Sequence, residues 1–343
     1  MLTLDADKLL VQGCTAEEYV IAAARGEIAC IMTLNEFPMP FGLFYGPDQY
    51  QPTPESKLSA LNNYLKVATH ILPKAESLRA STMWHPDLDL DNIFVNPDNP
   101  TELVGITDWE CIHLSPLFLQ AKHPPLLHFK GPIPEGFSPS QLPENFNDMS
   151  PDEQKEAKEL RTAQNLYKLY EVQSGIRNAN ILRALQDRET LQFYLTAMAG
   201  SLFADGEPFV NKLLMLTETQ WLNVVGPGPD GRPSMPCPLT FSAQDNALQD
   251  EQLADWFSGF ELMEWVLEEI GASVGMAGWD GWIPHDRYEL MKSKLEKCFD
   301  SFLDQEVGDD DSRRKAWIKA WPFVDHPSET SLRRYTPPRD SVG

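Results

Sequence analysis

His85-Pro86-Asp87-Leu88-Asp89-Leu90-Asp91-Asn92 runs directly into Ile93-Phe94-Val95, and a short turn later comes Leu103-Val104-Gly105-Ile106-Thr107-Asp108-Trp109-Glu110. Both apolar runs are rich in β-branched or aromatic side chains and read as strands. Asn96-Pro97-Asp98-Asn99-Pro100 between them is turn chemistry, so they form a hairpin. Thr82-Met83-Trp84, just ahead of His85, reads as a third short strand. The octapeptide is therefore a polar loop held between strands, with Asp108 at the exit of the hairpin.

Outward from this patch the hydrophobic period changes from two to the helical spacing. Residues 8 to 34 carry Leu9, Leu10, Val11, Tyr19, Ile21 and Ala22 to Ala24, a helical pattern. Phe37 to Pro54 is rich in proline and aromatics and reads as an irregular connector. Leu58, Leu61, Leu65, Ala68 and Leu72 then mark a helix from Pro54 to Leu72, with Thr53 as its cap and Pro73 as its stop. Residues 115 to 147 read as a loop. Ser150 and Glu153 form a capping box that opens a helical stretch over most of residues 152 to 222. Val225 to Pro238 is a loop, and helices resume at Leu248 to Ile270 and Arg287 to Phe302. Trp256, Phe257, Phe260 and Trp265 fall in a helical pattern and are expected in the core. Asp309 to Asp311 followed by Arg313 to Lys315 reads as a charged tail that frays. The fold class is α+β and mainly helical, in three parts: residues 1–54, a helix and connector; 55–302, the body that holds the loop; and 303–343, the tail.

The chain has 343 residues, 28 basic against 51 acidic, for a net charge of −23. That balance argues against nucleic acid or an anionic membrane as the main partner, since both need a basic face. No apolar run is long enough to span a membrane. The N-terminal segment, with Asp5, Asp7, Glu17 and Glu18, is neither a secretory signal nor an Arg-rich transit peptide. The five cysteines are scattered without metal or redox spacing, which predicts reduced thiols and an intracellular setting, cytoplasmic or mitochondrial. His113, His123 and His128 are likewise not at metal-ligand spacing.

Chemistry-capable residues concentrate in the loop. His85 to Asn92 fits H-x-D-L-x-x-x-N, the catalytic-loop pattern of kinases, with Pro86 in place of the usual arginine. Phosphoryl transfer needs one carboxylate beside the acceptor hydroxyl, and an amide oxygen plus a second carboxylate to hold Mg²⁺. The segment, together with Asp108-Trp109-Glu110, resembles the aminoglycoside phosphotransferase and choline kinase superfamily, which shares the protein-kinase-like fold. It is most similar to the fungal branch that includes the mitochondrial altered-inheritance type. Tyr64-Leu65-Lys66-Val67-Ala68, Leu72-Pro73-Lys74, Asn92-Ile93-Phe94-Val95 and Leu117-Phe118-Leu119-Gln120-Ala121 look typical of that branch.

The resemblance implies a kinase-like C-terminal lobe with helical extensions. It implies Asp87 as catalytic base or orienter of the acceptor hydroxyl, Asn92 and Asp108 as Mg²⁺ ligands, and His85 as a brace of the loop. The family reaction is ATP-dependent phosphoryl transfer to a small-molecule hydroxyl; an acidic chain is compatible with a cationic acceptor such as an amino-sugar or a choline-like alcohol. Asp89, Asp91 and Asp98 read as solvated loop carboxylates. One departure stands out. The 84 residues before His85 contain no G-x-G-x-x-G and no lysine in a β-rich strand: Lys57 and Lys66 lie in the helix and Lys74 follows it. The nucleotide-clamping N-terminal lobe is therefore expected to be missing, with weak or no binding of Mg²⁺-ATP by this chain. The alternative expectation is a catalytically silent lobe that serves as a binding or scaffold module.

Overall fold

Helices dominate, and their starts follow from side-chain caps. The computed structural model describes residues 15–34, 37–38, 43–47, 49–110, 112–271, 285–321 and 323. Helix α1 (Ala16–Thr33) opens on a capping box in which Thr15 and Glu18 satisfy each other's backbone N–H groups; residues 8–14 of the expected helix lie outside the described residues. Helix α2 (Pro54–Val67) starts at Thr53, whose hydroxyl accepts from Ser56 N–H, and ends before the expected Leu72. A one-turn α3 (Glu76–Arg79) leads into strand β1 (Ser81–Met83). Then come β2 (Ile93–Asn96), β3 (Asn99–Ile106), β4 (Leu114–Pro116) and the short α4 (Leu117–Gln120).

The second half is helical. Helix α5 (Pro151–Arg177) carries the expected Ser150–Glu153 capping box. It is followed by α6 (Ala179–Asp187), α7 (Leu191–Ala199), α8 (Glu207–Thr219) and α9 (Trp221–Val225). Helix α10 (Ala243–Ile270) begins five residues earlier than the apolar pattern indicates, because Ser242 and Asp245 form another capping box. Its end is set by Gly271 in the left-handed region, φ 71°. Helices α11 (Tyr288–Phe302) and α12 (Asp311–Ala320) close the described chain, joined by a π-helical turn at Leu303–Val307.

The strands form two separate antiparallel pairs. β2 and β3 make the expected hairpin, with Ile93 opposite Ile106 and Phe94 opposite Gly105. β1 pairs with β4, Thr82 opposite Ser115. Strand β4 lies in what reads as loop in the sequence, since three residues ending in a proline carry no local strand signal. The main core gathers α1, α2, α4 and α6 to α9 around Leu61, Tyr64, Phe118, Leu195 and Leu214. A second core joins α10, α11 and α12 to Phe44 of the connector.

The charged tail is a correction. Asp310 caps α12 through Ser312 and Arg313 N–H, and Trp317 and Trp321 are buried in the second core. The local charge run says "solvated", yet two tryptophans on the same segment bury enough apolar surface to dock it. Trp256 is buried as expected, whereas Phe257 is 45% exposed and faces outward.

Between the helices lies a buried polar lock. Lys57 and Glu207 are fully buried, 2.9 Å apart. Lys57 also donates to Leu202 C=O, and Tyr50 donates to the second Glu207 oxygen. Every charge there is met, which is what makes burial of such a pair tolerable. The lock fastens α2 and the connector to the start of α8.

Candidate functional site

The loop His85–Asn92 leaves β1, turns through a 3₁₀ segment at Leu90–Asn92 and enters β2. Asp89 caps that segment by accepting from Leu90 N–H, so this carboxylate has a local structural task. Asp89 N–H donates to Asp87 C=O, and Asn92 N–H to Asp89 C=O, which winds the loop tightly. The Asn92 side-chain amide also donates to Asp87 C=O, at 2.9 Å. That bond uses one N–H of the amide and leaves its oxygen as the group available to a cation.

Asp108 reaches the same place from the other side. β3 ends at Ile106, and Thr107 N–H donates to Asn92 C=O at 3.0 Å, extending the ladder by one step. Asp108 follows immediately with φ 61°, the one left-handed non-glycine among the described residues. An L-residue there meets steric strain between Cβ and backbone, and such strain persists where surrounding contacts over-determine it. The contacts are visible. His85 Nε2–H donates to Thr107 C=O at 2.9 Å, and the His85 ring meets Trp109 edge-on at 4.9 Å. Trp109 folds back to donate its indole N–H to Ile106 C=O. His85 and Trp109 thus grip the residues on either side of Asp108.

A third tie comes from Gln120 on α4, whose amide donates to the carbonyls of Thr82, His113 and Ser115 and so binds β1 to β4. Asp87 and Asp108 are exposed, while His85 and Asn92 are half-buried. The expected residues are therefore held on two backbone segments that the hairpin base and the β1–β4 pair bring side by side. Sequence spacing does not disclose Gln120 or Trp109 as positioning groups, since the contacts that tie the loop together, from Gln120 to Thr82 C=O and from Trp109 to the His85 ring, join positions far apart in the chain.

Among the described residues no group of three or more His, Cys, Asp or Glu side chains forms a metal cage. The loop instead offers two carboxylates and an amide oxygen. That set suits Mg²⁺, which binds through one or two carboxylates and keeps water or substrate phosphate as its other ligands. His123, outside the loop, stacks on Tyr167 at 3.8 Å and lies 3.3 Å from a Glu171 oxygen, off the line of a hydrogen bond. His113 and His128 are exposed.

A cavity of about 360 Å³ opens behind the loop. Trp84 and Pro86 form one wall, and α1, β4, α4 and α7 complete it. Lys122 and Arg188, which the sequence reading did not single out, also line it.

Compared with known proteins, the chain matches subtelomeric hrmA-associated cluster proteins from two strains of Aspergillus fumigatus, with 24% identity over 322 residues. The match covers 92% of this chain and 59% of the relatives, so the chain spans a little over half the length of the curated proteins it matches. No protein-family model and no solved structure matches it.

Proposed function

We propose that the loop is a phosphoryl-transfer site of the aminoglycoside phosphotransferase and choline kinase type, carried on a kinase-like C-terminal lobe with helical extensions. The observation that carries this reading is the strained Asp108, gripped by His85 and Trp109 at the point where the hairpin base meets Asn92. A backbone strained at a carboxylate, where a glycine would cost nothing, favours a role for that carboxylate.

In this reading Asn92 and Asp108 hold Mg²⁺, which would neutralise the triphosphate of ATP. Asp87 faces the acceptor hydroxyl and takes its proton. The acceptor oxygen bonds to the γ-phosphorus, the bond from that phosphorus to the bridging oxygen breaks, and ADP leaves with the electron pair. His85 holds Thr107 and so sets the position of Asp108. A Gly-rich cover and a strand lysine for the nucleotide are not found among the described residues: ahead of His85 the described strand is β1, and Lys57 is buried in α2.

A second reading has its own support. Phe94, Val95, Leu103 and Val104 of the hairpin are between 45% and 68% exposed, apolar surface suited to docking, which fits a loop retained on a binding module without transfer. ATP consumption by the full-length protein, across amino-sugars, choline-like alcohols, polyols and hydroxy acids, separates the two. Asp87→Asn should lower turnover about 10²- to 10⁴-fold with nucleotide binding kept. Asp91→Asn should leave turnover unchanged. Wild-type turnover in Asp87→Asn would overturn the phosphotransferase reading.

A further inference from the structure

The cavity behind the loop differs in charge from the chain that encloses it. The protein carries a net −23, yet among the described residues no aspartate or glutamate lines this cavity, while Lys122, Arg188 and His113 do. Neither Lys122 nor Arg188 has a carboxylate within ion-pair distance among the described residues, although Asp187 and Glu189 flank Arg188 in sequence.

Arg188 is placed by design of the fold rather than left to wander. Its guanidinium lies 4.5 Å from the centre of the Phe193 ring, and one N–H donates to Ala121 C=O at 3.2 Å. Among the described residues the rest of its donor fork meets no hydrogen-bond partner. Burial disfavours the charged form of Arg188, so its environment withdraws water without supplying a counter-charge. A desolvated, unpaired cation is costly unless an anion meets it. Trp84 and Pro86 line the same cavity, and Pro86 is the chain neighbour of Asp87, which connects the cavity to the loop that carries the base.

We propose that this cavity is the acceptor subsite and that its acceptor is a small hydroxyl compound bearing an anionic group, a carboxylate or a phosphate, bound by Arg188 and Lys122. The inference rests on the phosphotransferase reading for the word acceptor, and on the cavity alone for the anion. It differs from a cationic amino-sugar or choline-like acceptor, with which the overall composition is compatible: the charge that selects a ligand is the local one. A volume near 360 Å³ is at the small end of ligand pockets, which suits a short polyol acid or sugar phosphate.

The test is calorimetric titration of the protein, free of nucleotide and with chelator present, using glycerol 3-phosphate, gluconate, glucose and choline as probes. The expected result is saturable binding of glycerol 3-phosphate or gluconate, with the tighter of the two identifying phosphate or carboxylate as the group read. Glucose and choline should bind at least about tenfold more weakly. Lys122→Gln and Arg188→Gln should each weaken the anion by about tenfold or more, the range of one charge-assisted contact. Lys122→Gln, the less entangled side chain, keeps the test valid if Arg188→Gln unfolds. No saturable anion binding, choline binding more tightly than either anion, or anion binding unchanged in Lys122→Gln would each overturn the proposal. Turnover separates this from the parent reading. If Asp87→Asn loses turnover but neutral alcohols are used as well as anionic ones, the acceptor inference fails while phosphotransfer stands. If Asp87→Asn keeps turnover while anions bind as stated, the acceptor role fails together with the parent reading and the anion site remains.

Discussion

Asp108 is held at φ 61°, a conformation that costs an ordinary L-residue about 1–2 kcal/mol and a glycine almost nothing. Asp108→Gly should therefore leave thermal stability unchanged or raise it by up to about 1 kcal/mol, while Asp108→Val lowers it by about 1–2 kcal/mol. Both should lose Mn²⁺-nucleotide binding in the full-length protein, measured by electron paramagnetic resonance. A destabilised Asp108→Gly would mean that the side chain serves folding and not a metal. His123 offers a second residue-scale test. Burial pushes its pKa down to about 4, against the pull of Glu171 in the other direction. The unfolded chain takes up a proton near pH 6.5 that the folded chain refuses until about pH 4. Stability should thus fall as pH drops through that window, by roughly 3 kcal/mol from this group. Urea melts at pH 7 and pH 4.5 should show that His123→Gln flattens the fall, and equal slopes in the two proteins would count against it.

At the scale of elements, the link from α2 to α8 is the Lys57–Glu207 lock. Burial pushes the Glu207 carboxyl upward, and Lys57 opposes that shift. Lys57→Met alone leaves a buried carboxylate without its cation and should cost about 3–5 kcal/mol. Lys57→Met combined with Glu207→Leu removes both charges and should cost distinctly less, though it leaves Tyr50 without its acceptor. Denaturant melts of the single and double variants check this; additive losses would show that the pair is not coupled. The two strand pairs are elements of another kind. They are short and largely exposed, and they serve to hold two loop segments in register more than to fill a core.

Across the whole molecule, the connector is clasped by the C-terminal helices. Phe44 N–H donates to Gly259 C=O of α10 at 3.2 Å, and a Cβ on Gly259 would run into the Phe44 backbone carbonyl. At Gly46 a Cβ would fall inside the Trp317 indole of α12. Gly259→Ala should therefore destabilise by about 1–3 kcal/mol, as overpacking does, and should expose tryptophan near α12 before the main core melts. Fluorescence and circular dichroism followed together on heating would show two steps in the variant. A single wild-type transition would mean that the backbone shifts freely there. The relatives matched by 92% of this chain are longer than the matched part.

Most of the secondary structure was legible because its causes are local. The Thr53 cap, the Ser150–Glu153 capping box and the turn residues between β2 and β3 act within a few positions of one another, and the hairpin follows from them. Asp87, Asn92 and Asp108 form a set by spacing and residue type, and hydrogen bonds from Thr107 N–H to Asn92 C=O and from the Asn92 amide to Asp87 C=O tie their backbone segments together. Strand β4 and the docking of α12 were not legible, since each depends on a partner far away in sequence: β1 for one, Phe44 and the α11 side chains for the other. The left-handed backbone at Asp108 likewise has no signature in residue spacing, and the His85 and Trp109 rings that meet beside it are 24 residues apart in the chain. Charge shows the same division. Composition determined that the chain as a whole is acidic, but only tertiary structure decided that one small cavity is lined by cations, because desolvation and pairing act on the groups that meet in space and not on the total.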